Sequence, residues 1–413
     1  MKKSVYIIIL LLLFSGCLFS QTWVQRLNGI SMWSLAVDLQ GNLYAGASGT
    51  VKSIYKSTNG GENWVEVFSS GTANIIYIAC DSNNNVFASY GSSGVLKSTN
   101  GGINWTVIPP ATFNSNTVNS VKCGKNNYVY VGTTLGGIFV STDGGETFPY
   151  NYLSGSNIVS IYVDKYNSDI VYAGASAGTG NNGIYRSSNA GFNWSELMNS
   201  GANCWGMVQF NPNELLYVGT SSGYPVYKST NSGLNWFIAS SLPGAMRGAT
   251  INQSQFVYTS GNGGVYRSTN SGLSFSNFGF TFSSNHCLAY QNKVFVAASG
   301  TSSGGVWFTL DTLVSNISNS NSGIIDNYFL YQNYPNPFNN STIIRYELPK
   351  SGNVNIILYD ISGKEVFTLV DEFKRDGIYE LKFQSDNLSS GVYFYILYID
   401  NKFIDTKRMV YLK

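Results

Sequence analysis

Charge is scarce in this 413-residue chain: Asp, Glu, Lys and Arg together make up 11%, and there are one histidine, nine prolines and five cysteines. Each scarcity removes a class of function. Basic and acidic residues balance, 12 of each over residues 21–326 and 10 of each over residues 327–413. No basic stripe exists to track a phosphate backbone, so nucleic acid is not an expected partner. The lone histidine, His286, has no acid close by in the sequence reading and no Gly-x-Ser-x-Gly elbow to serve, which excludes a Ser–His–Asp site and a multi-histidine zinc site. Cys80, Cys123, Cys204 and Cys287 lack metal-ligand or Cys-x-x-Cys spacing and read as small buried hydrophobes. No metal and no cofactor is therefore expected. Long apolar runs are also missing, except for residues 5–14 (VYIIILLLLF) behind Met1-Lys2-Lys3. That run has signal-peptide length and is too short for a membrane span, so the mature protein should have none. Two processing routes stay open: cleavage after Ser20, giving a leader of residues 1–20, or lipidation at Cys17 in an imperfect lipobox.

What the chain has in abundance is glycine (44), tyrosine (29) and phenylalanine (24), the profile of a strand-rich protein with many turns. One octet returns six times. It begins as Ser57-Thr-Asn59-Gly-Gly61-Glu-Asn-Trp64 and recurs with Ser98, Asn100, Gly102 and Trp105. The next copies carry Ser141, Asp143, Gly145 and Phe148, then Ser187, Asn189, Gly191 and Trp194. The last two carry Ser229, Asn231, Gly233 and Trp236, and Ser268, Asn270, Gly272 and Phe275. A period of about 42 residues signals a repeat architecture. The octet is composed as a turn: side-chain oxygens bond nearby backbone, glycine takes positive φ, and the aromatic anchors the next strand.

Ahead of each octet lie three short strands, as in residues 34–38, 42–46 and 53–56, and a fourth follows it. Four strands per repeat predict propeller blades. A seventh repeat, near residues 286–308, lacks both octet and fourth strand, and residues 22–27 (TWVQRL) supply the missing piece. The expected fold class is all-β: a seven-bladed β-propeller over residues 21–314, closed by its N-terminal strand, which also removes an exposed sheet edge. The octets resemble the Asp-box (BNR) repeat of sialidase-like and sortilin-like β-propellers. Five of the six copies hold asparagine where that name implies an acid, so the octets read as structural turns with no catalytic part.

Residues 315–326 are Ser/Asn-rich and read as a linker, and residues 327–413 form a second unit of about seven short strands, an immunoglobulin-like β-sandwich. Its text includes NYPNPFNNST, residues 357–361 (ILYDI) with the Ser362-Gly363 turn, residues 388–393 (LSSGVY) and a basic Lys407-Arg408 tail. This closely resembles the type A C-terminal sorting domain of the type IX secretion system. The resemblance implies Sec export, passage across the outer membrane through the type IX machinery, and a secreted or outer-surface destination.

Chemistry is thin on the face where propellers bind ligands. Its loops hold no carboxylate pair for glycoside hydrolysis, and the propeller has no arginine triad of the sialidase kind. No catalytic residue is predicted. One constellation stands out: with inner strands aligned, Trp33, Arg247 and His286 share one position of repeats one, six and seven, with Trp205 one residue earlier, opposite Ile76, Asn119, Val159 and Gly206 elsewhere. Loops nearby offer Tyr150, Tyr152, Tyr224 and Phe282. An aromatic platform with one cation is suited to a sugar face or an acidic group. The expected function is an exported, non-catalytic propeller binding a glycan or protein partner; a divergent sialidase-like hydrolase and a scaffold or assembly factor are the alternatives.

Overall fold

The computed structural model describes residues 21–413 except 177–182, 199–202, 220–223, 312–327, 334, 349, 376, 385–387 and 413. The leader (residues 1–20) and the whole linker (residues 315–326) thus lie outside the described residues. The chain divides into two compact units, Met1–Asn316 and Ile317–Lys413.

In the first unit the described residues form seven four-stranded antiparallel sheets. Sheet one is typical, with strands Met32–Val37, Leu43–Ala47, Ser53–Ser57 and Val65–Ser69 in spatial order. The first strands touch in sequence: Met32–Val37, Ile78–Cys80, Val118–Cys123, Asn157–Val163, Cys204–Asn211, Met246–Ile251 and Ser284–Tyr290, and the last touches the first. The circuit is closed, and the sheets radiate from it as a β-propeller. Sheet seven takes its fourth strand from the N-terminus, where Val24–Arg26 pairs antiparallel with Gly305–Leu310. The expected closure is thereby present.

No single core exists in this unit. Each of the seven gaps between neighbouring sheets holds its own apolar cluster, such as Tyr44, Ile54, Ile75, Val86 and Leu96 between sheets one and two. The middle strands are buried on both faces, which explains why Leu43–Ala47 reads as an unbroken apolar run.

The octets sit at the outer turns and work as clasps. In the first, Gly61 N–H donates to Ser57 Oγ (2.9 Å), Ser57 Oγ–H donates to Asn59 Oδ1 (3.0 Å), and Asn59 Oδ1 also accepts from Asn63 N–H (2.9 Å). The same bonds recur in all six copies, including Gly145 N–H to Ser141 and Thr147 N–H to Asp143. Only an oxygen acceptor is required at the third position, so asparagine and aspartate are equivalent there. At Asp143 partial burial alone would raise the pKa, but hydrogen bonds from Thr147, Ser141 and Glu146 N–H bring it down to about 2.

The fifth-position glycine also joins one sheet to the next. A Cβ on Gly61 would lie 2.5 Å from the ring of Phe295, and one on Gly145 would lie 2.8 Å from Phe87, each from the second strand of the preceding sheet. Tyrosines in that place add a hydrogen bond: Tyr44 to Gly101 O (3.0 Å), Tyr130 to Ala190 O (3.1 Å) and Tyr172 to Ser232 O (2.9 Å). Sheet seven has no octet for Tyr258 to enter. There Asp311, 2% exposed, accepts from the Tyr258 hydroxyl and from Arg267 Nη1 (3.0 Å). One buried carboxylate replaces the missing turn. Around the join, Lys293 and Arg26 both grip Glu62 of the first octet (2.8 and 2.9 Å).

The second unit consists of a four-stranded sheet centred on Gly352–Asp360 and Gly391–Ile399 and a three-stranded sheet of Phe329–Leu330, Ser341–Leu348 and Gly377–Gln384. Alternate residues of both face one shared core, including Ile344 and Tyr346 from one and Ile356, Leu358, Tyr395 and Leu397 from the other. Among the described residues of the whole chain the sole helical segment is the short 3-10 turn Pro110–Phe113. No described helix is long and apolar enough to cross a membrane.

Candidate functional site

The face opposite the octets carries the loops between second and third strands and those leading into each new sheet. Ser48 N–H to Ser31 O (3.0 Å) and Gly49 N–H to Asn74 Oδ1 (3.2 Å) tie such loops together. Here the first strands share an irregularity. Pairing skips a residue between Met32 and Ser34, between Val118 and Ser120, between Ile158 and Ser160, between Cys204 and Gly206, between Met246 and Gly248, and between Ser284 and His286. Each skipped residue is a β-bulge, left unpaired at the lip of the channel.

The bulges reset the alignment of the candidate residues. Trp33, Asn119, Val159, Trp205, Arg247 and Asn285 are the skipped residues. Ile76 falls in the same place, since Ile78 N–H bonds the Ser34 hydroxyl of sheet one and residues 78–81 run parallel to residues 35–38. Trp205 therefore belongs to the ring in register, not one residue ahead of it, and Gly206 is the counterpart of Ser34. His286 is displaced by one step: it pairs with Ala297 as Ser34 pairs with Gly46, and Asn285 holds the lip position of sheet seven. Val218 stands opposite Gly206 and Ala297 opposite His286, where sheet one has Gly46 opposite Ser34. In the other sheets a serine closes the third strand and marks the register, as Ser57, Ser141, Ser187, Ser229 and Ser268 pair with Leu43, Val129, Val171, Leu215 and Val257, whereas sheet seven has Thr309 opposite Val294.

Five of the lip residues meet. Trp33, Ile76, Trp205, Arg247 and Asn285, with Tyr77, line a shallow depression that opens to solvent. Arg247 lies over the Trp33 ring, 5.8 Å from its centroid, and donates from Nη1 to Asn285 Oδ1 (2.8 Å). Asn285 is fixed in turn by donating from Nδ2 to Met32 O (2.9 Å). Arg247 makes no ion pair among the described residues. Sequence placed Ile76 in the ring as the counterpart of Trp33, but Asn285 and Tyr77 carry no signal that distinguishes them from other strand residues.

Below the lip, His286 packs edge-on against Tyr77 with ring centroids 6.1 Å apart. Burial, helped by the charge of Lys122, lowers its pKa from 6.5 to about 4, and Nδ1 has no hydrogen-bond partner. The folded protein therefore keeps this ring neutral at pH 5–7, while the unfolded chain protonates it below about 6.5. Stability is full above pH 6.5, falls as the pH drops toward 4, and levels off there. The loss attributable to His286 should reach about 2–3 kcal/mol. Urea titrations at pH 7 and pH 4 should show His286→Ser losing less by that amount, and equal losses in the two proteins would contradict the assignment. Serine already occupies the same place in three other sheets, as Ser34, Ser120 and Ser160.

The remaining aromatics are not brought to the depression. Tyr150 and Tyr152 surround Phe192 at the rim between sheets three and four, Tyr224 packs between sheets five and six, and Phe282 lies against Trp307. The acids are occupied as turn formers. Asp38 accepts from Gln40 and Asn42 N–H and Asn42 Nδ2, and shares the Tyr44 hydroxyl proton with Gly101 O; Asp81 and Asp164 are used likewise. Among the described residues no group of three or more His, Cys, Asp or Glu could hold a metal ion.

Residues 332–411 match the family model described as the secretion system C-terminal sorting domain. With that sorting domain the protein is secreted or held at the outer cell surface. No curated protein matches the chain. Among solved structures it is similar to YCF48 from Cyanidioschyzon merolae (TM-score 0.54, 14% identity, 71% of this chain and 99% of that one). A structure of YCF48 bound to D1 peptide gives a TM-score of 0.56 at 14% identity, over 71% and 97% of the two chains. The extracellular domain of BT3049 from B. thetaiotaomicron gives 0.56 at 14% identity, over 95% of this chain and 57% of that one. Identities this low speak for the β-propeller fold alone.

Proposed function

We propose that this protein is an exported, non-catalytic seven-bladed propeller that uses the mouth of its channel to bind a protein or glycan partner outside the cell. In this reading the Asp-box octets are inter-blade clasps over residues 21–314, residues 315–326 are a tether, and the immunoglobulin-like unit from residue 327 is the address read by the type IX machinery. The observation that carries it is the lip ring. The octets repeat in six sheets, whereas the seven lip positions hold Trp33, Ile76, Asn119, Val159, Trp205, Arg247 and Asn285, and the residues least like the rest are the ones that converge. Repetition builds the ring, and departure from it marks the site. YCF48, a propeller of similar fold, is described with a peptide bound, and a peptide partner suits the present site as well. Engagement of Asp38, Asp81, Asp143 and Asp164 in turn hydrogen bonds supports a binding role over a hydrolytic one.

Probing the secreted protein against glycan and protein arrays, alongside a panel of aryl-glycosides and polysaccharides, tests this reading. Saturable binding without turnover is expected. Glycoside turnover that disappears when one named acid is changed would overturn it.

A further inference from the structure

The mouth depression has a chemistry that narrows what enters it, on the premise that the mouth is the binding site. We infer that it takes a single carboxylate carried on an apolar body, the free carboxyl end of a peptide with an apolar last residue.

Three observations lead there. First, Arg247 lies over the Trp33 ring and is held by one neutral acceptor, Asn285 Oδ1, and it faces no carboxylate among the described residues. An arginine has five N–H donors, so most remain for an incoming anion, and the bond to Asn285 already orients the guanidinium. Second, the other walls are apolar or aromatic: Trp33, Ile76, Tyr77 and Trp205. Third, the depression is shallow and open to solvent, with enclosed room for about one water-sized group, so only the end of a ligand can be seated beside Arg247.

A glycan fits this lining poorly. Sugar hydroxyls need several side-chain partners, and the one side-chain amide that lines the depression, Asn285, already gives one bond at its oxygen to Arg247 and one at its nitrogen to Met32 O. An apolar side chain has Trp205 and Ile76 to lie against.

The test uses the secreted full-length protein and three millimolar probes: N-acetyl-phenylalanine, its amide, and glucuronic acid. Binding is followed through the indole N–H signals of Trp33 and Trp205. The free acid should shift these signals and bind at least tenfold more tightly than the amide, as a charge-assisted hydrogen bond requires. Arg247→Gln should erase the preference for the acid. It should fold, because Ile76, Asn119 and Val159 hold the same position elsewhere in the ring, and unchanged indole signals away from the mouth would verify that. Equal binding of acid and amide, or an unchanged preference in Arg247→Gln, would overturn the inference, as would glucuronic acid binding more tightly than the acyl amino acid. If an array partner binds the wild type and both variants Arg247→Gln and Trp33→Ala equally, this inference falls while an extracellular binding role stands. If the array shows no partner and the acid still binds, the carboxylate site stands and the partner reading falls.

Discussion

Replacing Asp311 with alanine should cost about 3–5 kcal/mol of stability, the range seen when one member of a buried ion pair is removed. Asp311 is 2% exposed and accepts from both the Tyr258 hydroxyl and Arg267. Arg267 lies among aromatic rings, 4.8 Å from the Phe278 centroid, and burial already lowers its pKa. Without the carboxylate its charge stays buried beside an unmatched phenol. Asp311→Asn should lose roughly half as much, since the amide oxygen still accepts. Urea unfolding monitored by tryptophan fluorescence supplies the comparison. A loss below about 1 kcal/mol for the alanine variant would mean that Asp311 does not replace the missing octet, because a mere surface ion pair is worth no more than that.

Removing residues 21–27 should do greater damage. Trp23 packs against Phe278 and Phe280 at 5.9 and 4.9 Å, and its Nε1–H donates to Phe278 O (3.3 Å). A half-buried tryptophan in such contacts is worth about 1.5–3 kcal/mol. The truncation also deletes the pairing of Val24–Arg26 and the Arg26–Glu62 bridge, and bares the edge Gly305–Leu310. Together these losses approach the roughly 5–15 kcal/mol that holds a domain folded. The truncated protein should lose its cooperative unfolding transition and associate through the bared edge. A peptide of residues 21–30 added in trans should restore the transition. A truncated protein that unfolds cooperatively near the wild-type midpoint would show that closure is not needed for stability.

Much of this could be read from sequence because it is written in local chemistry. Six octets with Ser, Asn or Asp, Gly and an aromatic at fixed places gave the period and the turn, and the missing fourth strand of the last repeat pointed to Thr22–Leu27 as its substitute, of which Val24–Arg26 forms the strand. The lip register was not legible. A bulge adds a residue without changing the apolar pattern around it, so His286 and Asn285 exchange places at no cost to the alternation. Asp311 was also hidden. Its role depends on a tyrosine and an arginine more than forty residues away, at Tyr258 and Arg267, and only the ring brings the three together. The candidate cation–aromatic contact of Arg247 and Trp33 was readable as two residues in one position, while its anchor Asn285 required the pairing.

The most direct test compares two classes of variant in one binding assay on whichever partner the arrays return. Trp33→Ala and Arg247→Gln alter the mouth; Ser98→Ala removes the hydroxyl that accepts from Gly102 N–H at 2.8 Å in an octet on the other face. Loss of binding in the mouth variants, with the octet variant keeping full affinity and losing about 1 kcal/mol of stability, is the expected result. Retained binding in both mouth variants and lost binding in a folded Ser98→Ala protein would contradict it, and would move the function to the octets.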